Sequence, residues 1–165
     1  MNNSISLIGM AGAGKSSIGK KLAEHLNLDF IDSDLLIEKR YGQSLQDILN
    51  QNGNEKFKEI EEGALLSVEF NQIVLATGGS AVFCDTAMEY IKENSKVIYL
   101  EVTYEDISAR ISNFSERGLI KRPDQTIQEA YKEREGLYQN FADHIVQNNG
   151  KIESCLNKIL GLINF

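Results

Sequence analysis

Apolar residues recur along this chain at two alternating spacings. Short, mostly apolar runs at Ile5–Ile8, Leu28–Asp32, Gln72–Ala76, Lys96–Val102 and His144–Val146 predict buried strands. Between them, apolar residues return every three or four positions, the stripe of an amphipathic helix. Ile18, Leu22 and Leu26 form one stripe, and Phe57, Ile60, Ala64, Leu65 and Val68 another. Ile127, Ala130, Tyr131, Leu137 and Tyr138 mark a helix from about Thr126 to Asn140, and Ile152, Leu156, Ile159, Leu160 and Ile163 a closing one. Further helices are expected through Leu35–Glu38, from Ser44 (with Gly53 as punctuation), from Asp85 to Asn94 and from Tyr104 to Ile111. Strands alternating with helices predict an α/β fold, a mainly parallel five-stranded sheet flanked by helices. No repeat, linker or low-complexity segment divides the chain, so residues 1–165 are expected to form one domain.

The first strand runs into Gly9-Met10-Ala11-Gly12-Ala13-Gly14-Lys15-Ser16, which fits G-x-x-x-x-G-K-[ST]. Strand, glycine-rich loop and helix is the context this phosphate-binding motif needs. Its glycines let the backbone turn tightly with N–H groups inward, and the helix N-terminus adds a positive dipole end. Lys15 is then expected at the β- and γ-phosphates and the Ser16 hydroxyl on Mg²⁺. The chain is expected to bind a nucleoside triphosphate.

Other chemistry-bearing residues gather at strand ends, where open α/β sheets bind ligands. The second strand delivers Asp32 and Asp34. Two residues apart in extended chain, they share one side. A helix cap at Ser33 or Asp34 is the simpler use of such residues. The third strand ends in Thr77-Gly78-Gly79-Ser80, whose glycines permit close backbone approach to a ligand. Lys58 and Glu61, three apart on a helix flank, read as an exposed ion pair. The segment of about 112–124 is polar, cationic in its second half and poorly periodic, a candidate lid. Arg134 lies seven residues after Ile127, on the inward face of its helix. A buried arginine needs an anion, either an internal carboxylate or an acidic ligand.

Net charge is −7, so a nucleotide must be held by local cations, and nucleic acid and anionic membranes are poor partners. Cys84 and Cys155 lack metal-like spacing and are expected as reduced thiols in a cytoplasmic protein. The polar Met1–Ser4 is no signal peptide, and no apolar run reaches membrane-spanning length. His25 and His144 are expected at the surface.

The motifs, in their order along the chain, resemble those of shikimate kinases, small nucleoside-monophosphate-kinase-like P-loop proteins. The matching pieces are Gly9 to Ser16, Asp32-Ser33-Asp34, Gly53 with Phe57 and Glu61, Ala76-Thr77-Gly78-Gly79, Arg110, Arg117, and Arg134 with Leu137-Tyr138. The resemblance implies strand order 2-3-1-4-5 and Mg²⁺-dependent transfer of the ATP γ-phosphoryl group to the 3-hydroxyl of shikimate, in aromatic amino acid biosynthesis. It implies a monomer whose partner is a small-molecule substrate. Gly12, Ala13, Gly14, Lys15, Ser16 and Ser17 would hold the nucleotide, with Arg110 against adenine and Arg117 closing on the phosphates. Asp34 would bind the acceptor hydroxyls and take the proton. Asp32 and Thr77 would orient Mg²⁺-bound waters beside Ser16. Lys58 and Arg134 would clamp the acceptor carboxylate, with Gly78 and Gly79 donating N–H groups and Ser80 beside them.

The chain departs from the family pattern at several points. Lys58 stands where the family has arginine, which keeps the charge and loses the bidentate fork. Ser80 replaces a third glycine, and Gly136 a common proline. The lid reads Arg117-Gly118-Leu119-Ile120 instead of Arg-Pro-Leu-Leu, and Arg122-Pro123 offers a second register. Two alternatives accompany the reading: a paralogue phosphorylating another small hydroxy acid or polyol, as gluconate kinases do, and a non-catalytic nucleotide-binding module.

Overall fold

The computed structural model describes residues 3–110 and 121–163. Five parallel strands, β1 (Ile5–Ile8), β2 (Asp29–Asp32), β3 (Ile73–Ala76), β4 (Lys96–Glu101) and β5 (His144–Gln147), form one sheet in the order β2-β3-β1-β4-β5. Seven α-helices are described: α1 (Lys15–Leu26), α2 (Ser33–Tyr41), α3 (Leu45–Leu66), α4 (Asp85–Asn94), α5 (Tyr104–Arg110), α6 (Ile127–Phe141) and α7 (Ile152–Leu162). A short 3₁₀ turn spans Ala81–Phe83. None of the described helices is long and apolar enough to cross a membrane.

The central strands β1, β3 and β4 are buried on both faces, as parallel strands covered by helices must be, and the edge strands β2 and β5 are partly exposed. In β1 the period of two divides the side chains between layers. Ile5 and Leu7 pack with Ile18 and Leu22 of α1 and with Leu156 and Ile159 of α7. Ile8 packs on the opposite side with Leu75, Tyr99, Ile91 and Tyr138. A third cluster joins α2 to α3 through Ile37, Ile48, Phe57 and Ile60. Gly53, at φ 76°, leaves the helical region inside α3 and divides it into the two helical stretches that the sequence predicts.

Register brings the candidate residues to one edge. Asp32 is level with Ala76, Leu7 with Ala76, and Ile8 with Tyr99. The residues that follow β1, β2 and β3 therefore emerge side by side. β1 has β3 on one side and β4 on the other, and this reversal of strand order opens a crevice at the strand ends.

Candidate active site

A cleft of about 590 Å³ lies along that edge. Its nucleotide end is lined by Gly12, Gly14, Lys15, Ser16, Ser17 and Arg110. Ala13 faces the core with no exposure and is not among the residues lining the cleft. Gly14 caps α1 at φ 95°, a left-handed conformation that favours glycine. A methyl there would also meet Asn148 Nδ2 at 2.6 Å. Lys15 Nζ lies across the loop, donating to the carbonyls of Gly9 at 2.5 Å and Met10 at 2.9 Å.

Asn148 belongs to this end and was not anticipated. Following β5 in an Asn-Asn-Gly sequence, it reads as an ordinary turn residue. In the fold it is buried, and its Nδ2 donates to Ala13 O at 2.8 Å. Arg110 links the same pieces, donating to Asn148 O at 2.7 Å and Gly12 O at 3.3 Å. The P-loop is thus held from behind by the β5–α7 connection.

Asp32 both caps a helix and reaches the phosphate loop. Its Oδ1 accepts from the amides of Asp34 and Leu35, so Asp32 caps α2, not Ser33 or Asp34. Its Oδ2 accepts from Ser16 Oγ at 2.5 Å. Thr77 Oγ1 donates to Leu7 O and is buried nearby on the cleft wall. A hydroxyl and a carboxylate oxygen meeting beside a phosphate loop are the hard oxygen donors that suit Mg²⁺. Among the described residues no three His, Cys, Asp or Glu side chains form a metal cage.

The acceptor end is lined by Asp34, Glu61, Gly79 and Ser80. A methyl on Gly78 would lie 2.5 Å from Asp34 Oδ1 and 2.8 Å from Glu61 Oε1, so this position must be bare. The Gly78 amide, expected to donate to an acceptor, donates instead to Ser33 Oγ at 2.9 Å. Tyr138 Oη donates to Gly79 O at 2.5 Å and its ring stacks on Tyr99, so the glycine loop is anchored to α6 and the sheet.

Arg134 is fully buried, one turn from both Ala130 and Tyr138 on the inward face of α6. Thr126 starts that helix with a capping box to Glu129. Arg134 donates through Nη1 to Ala130 O at 3.2 Å and through Nη2 to Ser80 Oγ at 3.3 Å. It stands directly behind a cleft-lining residue, within reach of the acceptor end. Burial holds its pKa below the usual guanidinium value, and the group remains a cation.

Glu61 corrects the expected surface pair. It is 3% exposed and does not bridge to Lys58, which lies 3.6 Å from Glu55 on the solvent side. Glu61 Oε2 has no hydrogen-bond partner among the described residues. Burial first, and the Asp34 charge second, push its pKa up to about 8. It therefore keeps its proton near neutrality in the ligand-free protein. The signal was available: Glu61 lies four residues after Phe57, inside the apolar stripe of α3.

Lys58 is at the rim, outside the residues lining the cleft. Arg122 pairs with Asp124 and Glu133, both at 3.9 Å, and is likewise off the cleft. Arg117 and most of the candidate lid fall outside the described residues.

Sequence and fold are similar to those of known proteins. The shikimate kinase family model matches residues 11–164. A shikimate kinase of Francisella tularensis subsp. novicida is 40% identical over 160 residues, covering 94% of this chain and 91% of that protein. The solved shikimate kinase from Acinetobacter baumannii, in complex with shikimate, superposes with TM-score 0.87 at 32% identity, over 97% of this chain and 92% of that one. A gluconokinase from Sinorhizobium meliloti shares the fold alone, at TM-score 0.51 and 16% identity. The reading as a non-catalytic module gives way to that of a small-molecule kinase. With a P-loop at one end of its cleft and a buried arginine behind the other, the chain belongs to the shikimate kinase family.

Proposed function

We propose that this protein transfers the γ-phosphoryl group of ATP to the 3-hydroxyl of shikimate, with Mg²⁺, giving shikimate 3-phosphate. The observation that carries the reading is the convergence of Asp34 and the Ser80-bound Arg134 on the end of a cleft whose other end is the P-loop. An acceptor there needs a hydroxyl near Asp34 and an anionic group toward Arg134, and shikimate has both.

The P-loop amides and Lys15 bind the phosphates, and Arg110 borders the adenine. Ser16 Oγ would ligate Mg²⁺ directly, with Asp32 and Thr77 acting through its waters. The chemistry Mg²⁺ supplies when bound is neutralisation of charge on the β- and γ-oxygens. Asp34 aligns the acceptor hydroxyl and accepts its proton as the oxygen attacks phosphorus in line with the leaving ADP oxygen. Arg134 and Lys58 hold the acceptor carboxylate. Arg117 stabilises charge on the transferring group, and the resemblance in sequence supports that role.

A coupled assay with ATP, Mg²⁺ and shikimate tests the proposal, run beside a panel of hydroxy acids that includes gluconate. Shikimate is expected to give the highest kcat/KM, and omission of Mg²⁺ to stop turnover. A panel member surpassing shikimate would move the assignment to another acceptor.

A further inference from the structure

Phe83 lies beside both cations assigned to the acceptor carboxylate. The Arg134 guanidinium carbon is 4.9 Å from its ring centroid, and Lys58 Nζ is 5.4 Å from the same centroid. Both fall within the roughly 6 Å over which an aromatic quadrupole attracts a cation. The three residues come from separate elements: Lys58 from α3, Arg134 from α6, and Phe83 from the 3₁₀ turn after the glycine loop.

The turn fixes the ring. Ala81 N donates to Gly78 O at 3.2 Å, and Phe83 N to Ser80 O at 3.1 Å. Ala81 and Val82 are buried in the core, and Phe83 beside them is half-buried. Cys84 Sγ, 3.5 Å from Lys58 O, ties the end of the turn to the backbone of α3 at the lysine.

Two cations meant for one carboxylate repel each other until it arrives. A buried carboxylate between them could hold them together, but it would cancel the charge the acceptor needs; Glu55, 3.6 Å from Lys58, is exposed and pairs with the lysine from the solvent side. Glu61, the nearest buried acid, keeps its proton near neutrality. A ring attracts both cations and neutralises neither. Ser80 Oγ and Ala130 O hold the edge of the guanidinium, while the ring holds it from another side.

We propose that Phe83 is a positioning residue for acceptor recognition, its ring holding Lys58 and Arg134 poised for the acceptor carboxylate. The inference rests on the carboxylate-clamp reading above. The clamp binds a group remote from the reacting hydroxyl, so losing it weakens ground state and transition state alike. The effect belongs in acceptor KM and not in kcat.

The test is steady-state kinetics with shikimate and ATP on Phe83→Leu and Phe83→Tyr, beside Lys58→Ala and Arg134→Lys. Phe83→Leu removes the π face and is expected to raise shikimate KM about tenfold, with kcat and ATP KM within about twofold of the parent. Phe83→Tyr retains the face and is expected to restore shikimate KM to within about threefold. If Phe83→Leu does not fold, Phe83→Met, equally without a ring, takes its place. An unchanged shikimate KM in the ring-less variant overturns the inference. So does a fall in kcat or a rise in ATP KM to match, and so does failure of the tyrosine to rescue. If Lys58→Ala and Arg134→Lys leave shikimate KM unchanged, the clamp reading fails instead, and the inference with it.

Discussion

At the nucleotide end of the cleft, the groups that face a ligand come largely from one unbroken run, Gly9 to Ser16, and many are backbone. At the acceptor end the lining comes from α2, α3 and the loop after β3, with Arg134 of α6 behind Ser80. The first end is a local conformation, set by left-handed glycines and braced by Asn148. The second exists only when four elements pack together, and it contains a buried carboxyl whose pKa is raised, a buried guanidinium and a ring near two cations. A backbone site serves any nucleoside triphosphate. A side-chain site can be re-tuned one residue at a time, and the departures at Lys58 and Ser80 fall there.

The two ends are expected to fail differently. Lys15→Ala removes the cation of the phosphate loop and should lower kcat/KM for both substrates by more than about a thousandfold in the coupled assay. Appreciable residual transfer would show that the loop backbone suffices. Asn148→Asp keeps the shape but loses the donor to Ala13 O and turns an oxygen toward it. A rise of about tenfold in ATP KM is expected, with shikimate KM within about twofold of the parent. Equal effects on both constants would mean the bracing is not confined to the nucleotide end. Lys58→Ala should act oppositely, raising shikimate KM about fivefold while ATP KM stays put.

Glu61→Gln sharpens the comparison through stability. The folded protein holds Glu61 at about 8 against an ordinary 4.5, so between these values it keeps a proton that the unfolded chain has released. Glu61 therefore makes the parent less stable as pH rises through this window, and the loss levels off above it. The glutamine does not titrate. Its thermal midpoint should match the parent's near pH 4 and exceed it by on the order of 10 °C near pH 8.5. A pH-independent difference between the two melts would show that Glu61 titrates normally.

The P-loop was legible because eight consecutive residues carry it and its geometry is local. Arg134 was legible as an inward residue because helical period alone placed it beside Ala130 and Tyr138. Glu61 was misjudged because its spacing from Lys58 suggests a surface pair, although its spacing from Phe57 puts it on the buried stripe. Which relation wins depends on how α3 turns against α2 and the sheet. Asn148 and Phe83 carried no distinguishing signal, since a turn asparagine and an apolar residue beside a glycine loop are ordinary in themselves.

By itself, the sequence determined the alternation of elements, the phosphate loop and the inward arginine, all consequences of contacts between residues a few positions apart. Tertiary structure alone decided that Asp32 serves both as helix cap and as partner of Ser16, that Glu61 shares its space with Asp34, and that one ring meets two cations. Those facts join residues as far apart as Lys58 and Arg134. Burial and charge at such junctions depend on which surfaces meet, and no local periodicity encodes that.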